Sequence, residues 1–126
     1  MKIGFLAVAI TLGVIGGCKK ETTKTCLKGK VVRVTCASTV IQVLNNDTLG
    51  EDGWIDRFGG NNTSYDNVFN LGNKCDLPST LKKGDTIWFS FGSQLGGACF
   101  VCDMADYPPD VKYFVKNISG SPCQPN

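Results

Sequence analysis

The chain has 126 residues, with 13 Lys and Arg set against 11 Asp and Glu for a formal charge of +2. That balance supplies neither the broad basic field that nucleic-acid backbones demand nor an acidic tail. Histidine is absent, so no Ser-His-Asp or Cys-His nucleophile and no histidine-containing zinc site can be assembled. The zincin and zinc-deaminase signatures are excluded with them.

The first predicted element is a targeting segment. Met1 and Lys2 lead into an apolar or small run from Ile3 to Ile15, then Gly16, Gly17 and Cys18, and the chain turns polar at Lys19, Lys20 and Glu21. Charged, apolar and small segments in that order are the anatomy of a secretory signal peptide. The run is 13 residues long, shorter than the ~20 that span a bilayer as a helix. Ile15-Gly16-Gly17-Cys18 resembles the lipobox of bacterial lipoproteins, with Gly16 where Ala, Ser or Thr is more usual. The resemblance implies cleavage before Cys18 and a diacylglycerol on its thiol, and two or three acyl chains hold a protein firmly to a membrane. Lys19 stands where an aspartate resembles an inner-membrane retention signal, and Lys19-Lys20-Glu21 is similar to surface-export tethers of Bacteroidota. An outer-membrane destination is therefore expected. The organisation read from this is a signal peptide at 1–17, a lipidated tether at 18–25 and a single β-barrel domain at 26–126.

Beyond Cys18 the cysteines are Cys26, Cys36, Cys75, Cys99, Cys102 and Cys123. An even set in an exported chain reads as three disulfides, each contributing roughly 2–4 kcal/mol to a small core. The positions of Cys26 and Cys123 near the two ends suggest a bridge that closes the domain. Cys99-x-x-Cys102 offers another reading, a redox dithiol or half of a zinc site. Its flanks, Gly96-Gly97-Ala98 before and Pro108-Pro109 after, do not suit the strand-to-helix turn of a redox motif, and the other cysteines form no matched pair. Two separate structural disulfides are expected instead, with no cofactor and no metal.

The remaining elements read as strands. Lys30–Cys36 and Val40–Leu44 flank a short turn and form a hairpin. Gly50–Ser64 is rich in Gly, Asn and Asp, and reads as a long surface loop anchored by Trp54, Ile55 and Phe58. Tyr65–Leu71 is a third strand, Leu77–Leu81 one turn of helix with Pro78 in its first turn, and Lys82–Asp85 a tight turn. Asp85–Phe91 alternates most clearly, with Ile87, Phe89 and Phe91 facing one way. A glycine-rich loop, Gly92–Gly97, precedes the Cys99-x-x-Cys102 pair, and Val111–Ile118 is the last strand. The class is all-β, a disulfide-stabilised small barrel or, as the alternative, a small sandwich.

Gly29-Lys30-Val31-Val32, Val40-Ile41-Gln42-Val43-Leu44 and Leu81-Lys82-Lys83-Gly84-Asp85-Thr86-Ile87-Trp88-Phe89 together resemble the strands of an OB-fold-like barrel. Short cysteine-bearing envelope lipoproteins of Bacteroidota carry comparable segments. The resemblance bears on fold, and fold alone does not assign a function.

Candidate chemistry is sparse. Glu51 and Asp52 with Asp56, or Asp103 with Asp106 and Asp110, are the groups that could bring carboxylates together in a cleft, but solvated turn-starting acids account for both groups. Trp54 in the loop and Trp88 on the polar side of the best strand are the candidate binding surface, since aromatic platforms on barrel faces stack sugars or bases. The near-neutral charge disfavours nucleic acid and leaves an envelope protein or a glycan as partner. The reading is a lipid-anchored, non-enzymatic binding module. Its alternatives are a thiol-redox protein working through Cys99 and Cys102, and an inhibitor of a secreted hydrolase.

Overall fold

The computed structural model describes residues 25–58, 60, 62–92 and 98–124. The signal segment, Cys18, the tether through Lys24 and most of the Gly92–Gly97 loop lie outside them. The described residues are all-β: β1 (Leu27–Val34), β2 (Thr39–Val43), β3 (Trp54–Asp56), β4 (Thr63–Tyr65), β5 (Val68–Leu71), β6 (Thr86–Phe91), β7 (Lys112–Tyr113) and β8 (Val115–Ser119), with one 3-10 turn at Lys74–Asp76.

Six strands make one sheet in the order β7-β5-β2-β1-β6-β8, while β3 and β4 form a hairpin of their own. β7 pairs parallel with β5 and β8 antiparallel with β6, so two strands adjacent in sequence hold opposite edges. One short segment reaches both edges only because the sheet curls into a half-barrel. The switch falls at Phe114, whose ring lies where a side chain on Gly72 would stand (2.6 Å from the position of an added Cβ). Beside it the buried Asn73 acts as a substitute strand: its Oδ1 accepts from the Val115 N–H (2.9 Å) and its Nδ2 donates to the Val115 carbonyl (2.7 Å).

Leu27, Val31, Ile41, Phe69, Leu71, Ile87, Phe89 and Val115 fill the concave side. Phe69, Phe89, Phe91 and Tyr113 pack ring to ring there, at centroid separations from 4.6 to 6.2 Å. Gly29 allows this packing, because a Cβ would come within 2.7 Å of Ile41 and 2.8 Å of Phe89. A second, smaller core of Val32, Val40, Trp54 and Val68 lies on the opposite side of the sheet, under the β3–β4 hairpin. Adjacent residues of a strand face opposite ways, which is how Val40 and Ile41, or Val68 and Phe69, serve different cores.

All six cysteines of the folded region pair: Cys26 with Cys123, Cys36 with Cys102, and Cys75 with Cys99. The Cys99-x-x-Cys102 pair is thus divided between two bridges. Three expectations change. The long Gly50–Ser64 loop and Tyr65 form a paired hairpin, Trp54 opposite Tyr65 and Asp56 opposite Thr63, whose strands are too short to show a period, so the strand expected at Tyr65–Leu71 begins only at Val68. The helical turn lies at Lys74–Asp76 rather than Leu77–Leu81, where Leu81 closes only a turn onto the Pro78 carbonyl (3.1 Å). The Val111–Ile118 strand is two strands, since Phe114 and Asn73 move the chain from one edge to the other.

Candidate functional site

The site begins with a break in alternation. In β1 Val31 opposes Ile41 but Arg33 opposes Val40, so one extra residue is inserted as a β-bulge. The bulge turns both Val32 and Arg33 to the hairpin side. Val32 enters the small core there, and Arg33, only 4% exposed, lies with its guanidinium 4.8 Å over the Trp54 ring and 6.0 Å from that of Phe58.

Two carboxylates meet Arg33. Asp56 of β3 accepts from Nη1 at 3.3 Å, and Asp106 lies 3.6 Å from Nη2. Nη2 also donates to the Ser38 hydroxyl (3.2 Å), which in turn donates to Asp106 (2.6 Å), and the Thr35 hydroxyl donates to the same oxygen (2.6 Å). Among the described residues Arg33 Nε has no partner. Burial acts to raise the Asp106 pKa, but hydrogen bonds from Ser38 and Thr35 and the charges of Arg33 and Lys74 outweigh it and hold the carboxyl below its ordinary value. Lys74 shifts downward because burial removes its ammonium from water faster than Asp106 compensates. Its Nζ caps the Thr35 and Cys36 carbonyls at 3.1 and 2.6 Å. The network ties the end of β1, the hairpin and the irregular segment carrying Asp106 to one another.

Above it opens a cleft of about 620 Å³ lined by Glu51, Trp54, Ile55, Arg57, Tyr107, Pro108 and neighbouring residues. The Trp54 indole N–H donates to the Tyr107 carbonyl (3.2 Å), and the Asp110 N–H donates to Glu51 Oε2 (2.8 Å). The 107–110 strap is therefore fixed to the first residue of β3 and to Glu51 just before it. Tyr107 has a left-handed backbone (φ 47°) and leaves its side chain 73% exposed on the rim. One wall is aromatic and aliphatic, and Glu51, Arg57 and Asp110 bring both signs of charge to the rim.

Of the two tryptophans singled out by the sequence, Trp54 is 7% exposed and forms the floor of this cleft rather than an exposed platform. Trp88 is half-buried on β6, opposite Lys28, whose ammonium lies 5.4 Å over its ring, and it is not among the cleft's lining residues. The two acidic groups do meet: Asp56 and Asp106 face each other across Arg33, and Glu51 and Asp110 both line the cleft, where Glu51 accepts from the Asp110 N–H. Arg33 and Tyr107 were not anticipated. The signal for Arg33 was a charge inside the β-branched run Val31–Val34, and for Tyr107 an aromatic directly before Pro108-Pro109. No family model matches this chain, and a search of curated proteins returns no significant match.

Proposed function

We propose that this chain is a lipid-anchored cell-envelope protein whose barrel, OB-like in topology, is a non-enzymatic binding module for a glycan. The cleft carries the reading: an exposed Tyr107 beside a lining that includes the buried Trp54, with carboxylates and an arginine at the rim, offers a sugar both a stacking face and hydrogen-bond partners. The strand order supports the OB-like assignment, since β1, β2 and β5 form a meander, β6 returns to β1, and the last segment bridges β5 and β6. Three disulfides support a location outside the reducing cytosol. They also use every cysteine from Cys26 onward, which favours Cys18 as the residue set aside for lipid and an outer-membrane anchorage.

Two measurements test this. Cells expressing the full chain and fed alkyne-palmitate should label it, and Cys18→Ser should remove the label and release the protein from membranes; unchanged labelling contradicts the anchor. On an array of immobilised glycans, the mature chain made soluble by Cys18→Ser should be retained. Tyr107→Ala should weaken retention about tenfold, the scale of one lost aromatic stack, and Trp88→Ala should leave it intact. Absence of retention, or equal loss in both variants, contradicts the cleft.

A further inference from the structure

Cys99-Phe100-Val101-Cys102 is the most exposed apolar feature among the described residues. Phe100 is 88% exposed and Val101 50%. Such exposure in a mobile loop would mean little, but this pair is fixed at both sides, by Cys99 to Cys75 and by Cys102 to Cys36. Residues 98–101 belong to no strand or turn. The first backbone hydrogen bond among the described residues comes at Cys102, whose N–H reaches the Cys36 carbonyl (3.4 Å). Among the described residues nothing pairs with the backbone of Ala98–Val101, the condition for another chain to add to it as a strand.

We propose that this loop is a substrate-like inhibitory loop for a secreted serine endopeptidase with an apolar primary pocket, Phe100 filling the pocket and Phe100–Val101 lying across the catalytic serine. An aromatic side chain in such a pocket anchors binding, and a loop held rigid beforehand loses little entropy on docking. The connectivity supplies the rest. In the chemical step the protease's serine oxygen attacks the Phe100 carbonyl carbon, the bond to the Val101 nitrogen breaks, and that amine takes the proton held by the enzyme's base. Water then hydrolyses the ester, leaving a carboxylate on Phe100 and restoring the serine. Neither fragment departs, because Cys99 holds one end to Cys75 and Cys102 holds the other to Cys36. The captive amine competes with that water: it attacks the acyl carbon of the ester while the serine is still attached, re-forms the Phe100–Val101 peptide bond and expels the serine oxygen, which recovers its proton through the enzyme's base, so the protease stays occupied and hydrolysis to the nicked form is slow.

Placement fits a protein partner better than the anchoring membrane. The segment before Cys26 joins at the start of β1, whereas Cys36 and Cys102 lie beyond its end, eight residues on, or about 26 Å along an extended strand. The loop stands at the end of the barrel away from the tether. This inference is independent of the glycan cleft.

The test uses the oxidised mature chain carrying Cys18→Ser, with chymotrypsin as the probe protease and a chromogenic peptide as reporter. Stoichiometric inhibition is expected, with slow interconversion to a form nicked at 100–101 that stays one molecule until reduced. Phe100→Ala should weaken inhibition about 100-fold, as loss of an anchor side chain does, and Phe100→Lys should transfer inhibition to trypsin. Because the side chain is exposed, both variants should keep the wild-type melting temperature. Absence of inhibition, rapid turnover as an ordinary substrate, or inhibition indifferent to residue 100 overturns the proposal.

Discussion

Arg33 shows how one residue commits a surface to a shape. A buried guanidinium is tolerable because Asp56 and Asp106 face it, with Lys83 3.8 Å from Asp56 and Lys74 beside Asp106 balancing the excess negative charge. Removing it takes from both carboxylates the buried cation they share, leaving Asp56 only the exposed Lys83 and Asp106 only Lys74, so Arg33→Ala should cost about 3–5 kcal/mol in urea unfolding. A loss under about 1 kcal/mol, the scale of an exposed pair, would contradict this account. Asp106 adds a pH signature. Its folded pKa lies below that of an ordinary aspartate, so its ionised form stabilises the fold above the unfolded-chain pKa, and the contribution disappears as pH falls through the folded pKa. Wild type should therefore lose more stability than Asp106→Asn between pH 5 and the acid limit of about pH 2. Equal losses would remove Asp106 from the network.

At the level of elements, the least conspicuous device is Asn73. It supplies both hydrogen bonds that a neighbouring strand would give Val115, at the point where the chain leaves one edge of the sheet for the other. Asn73→Ala strands a buried N–H and a buried carbonyl, and should cost about 2–4 kcal/mol in thermal or chemical unfolding. Asn73→Asp should recover only the bond from the Val115 N–H. A melting temperature unchanged in Asn73→Ala would show that water or another group replaces it. The same elements mark how far sequence reasoning reached. β6 was legible because Ile87, Phe89 and Phe91 alternate without a break, and β1 and β2 because β-branched residues fill them. The three-residue strands of the hairpin were not, since Trp54–Asp56 and Thr63–Tyr65 contain too few positions for a period and their pairing depends on Trp54 packing over Val32, Val40 and Val68. The bulge in β1 was hidden for a related reason: Val31-Val32-Arg33 breaks alternation, and only the register with β2 shows which residue is extra. Asp56 and Asp106 were visible as acids, but an arginine brought in by a bulge decided where they meet.

Across the whole molecule the chain is organised by its two ends. Cys26–Cys123 joins the beginning and end of the fold over a sequence separation of 97, while Cys36–Cys102 and Cys75–Cys99 hold the irregular segment at the far end of β1. That segment carries Phe100, Asp106 and Tyr107, so one stretch of chain presents the proposed inhibitory loop, completes the buried network and forms the rim of the cleft. The central claim is that ligand binds between the hairpin and the 107–110 strap. It is tested most directly by the two tryptophan indole N–H signals in a proton–nitrogen correlation spectrum, recorded while soluble oligosaccharide fragments of the glycans that retain the protein on the array are titrated in. The Trp54 signal, whose proton is held by the Tyr107 carbonyl, should move in a saturable way while that of Trp88 stays still. A shift confined to Trp88, or no shift of Trp54 at saturating ligand, would contradict the account.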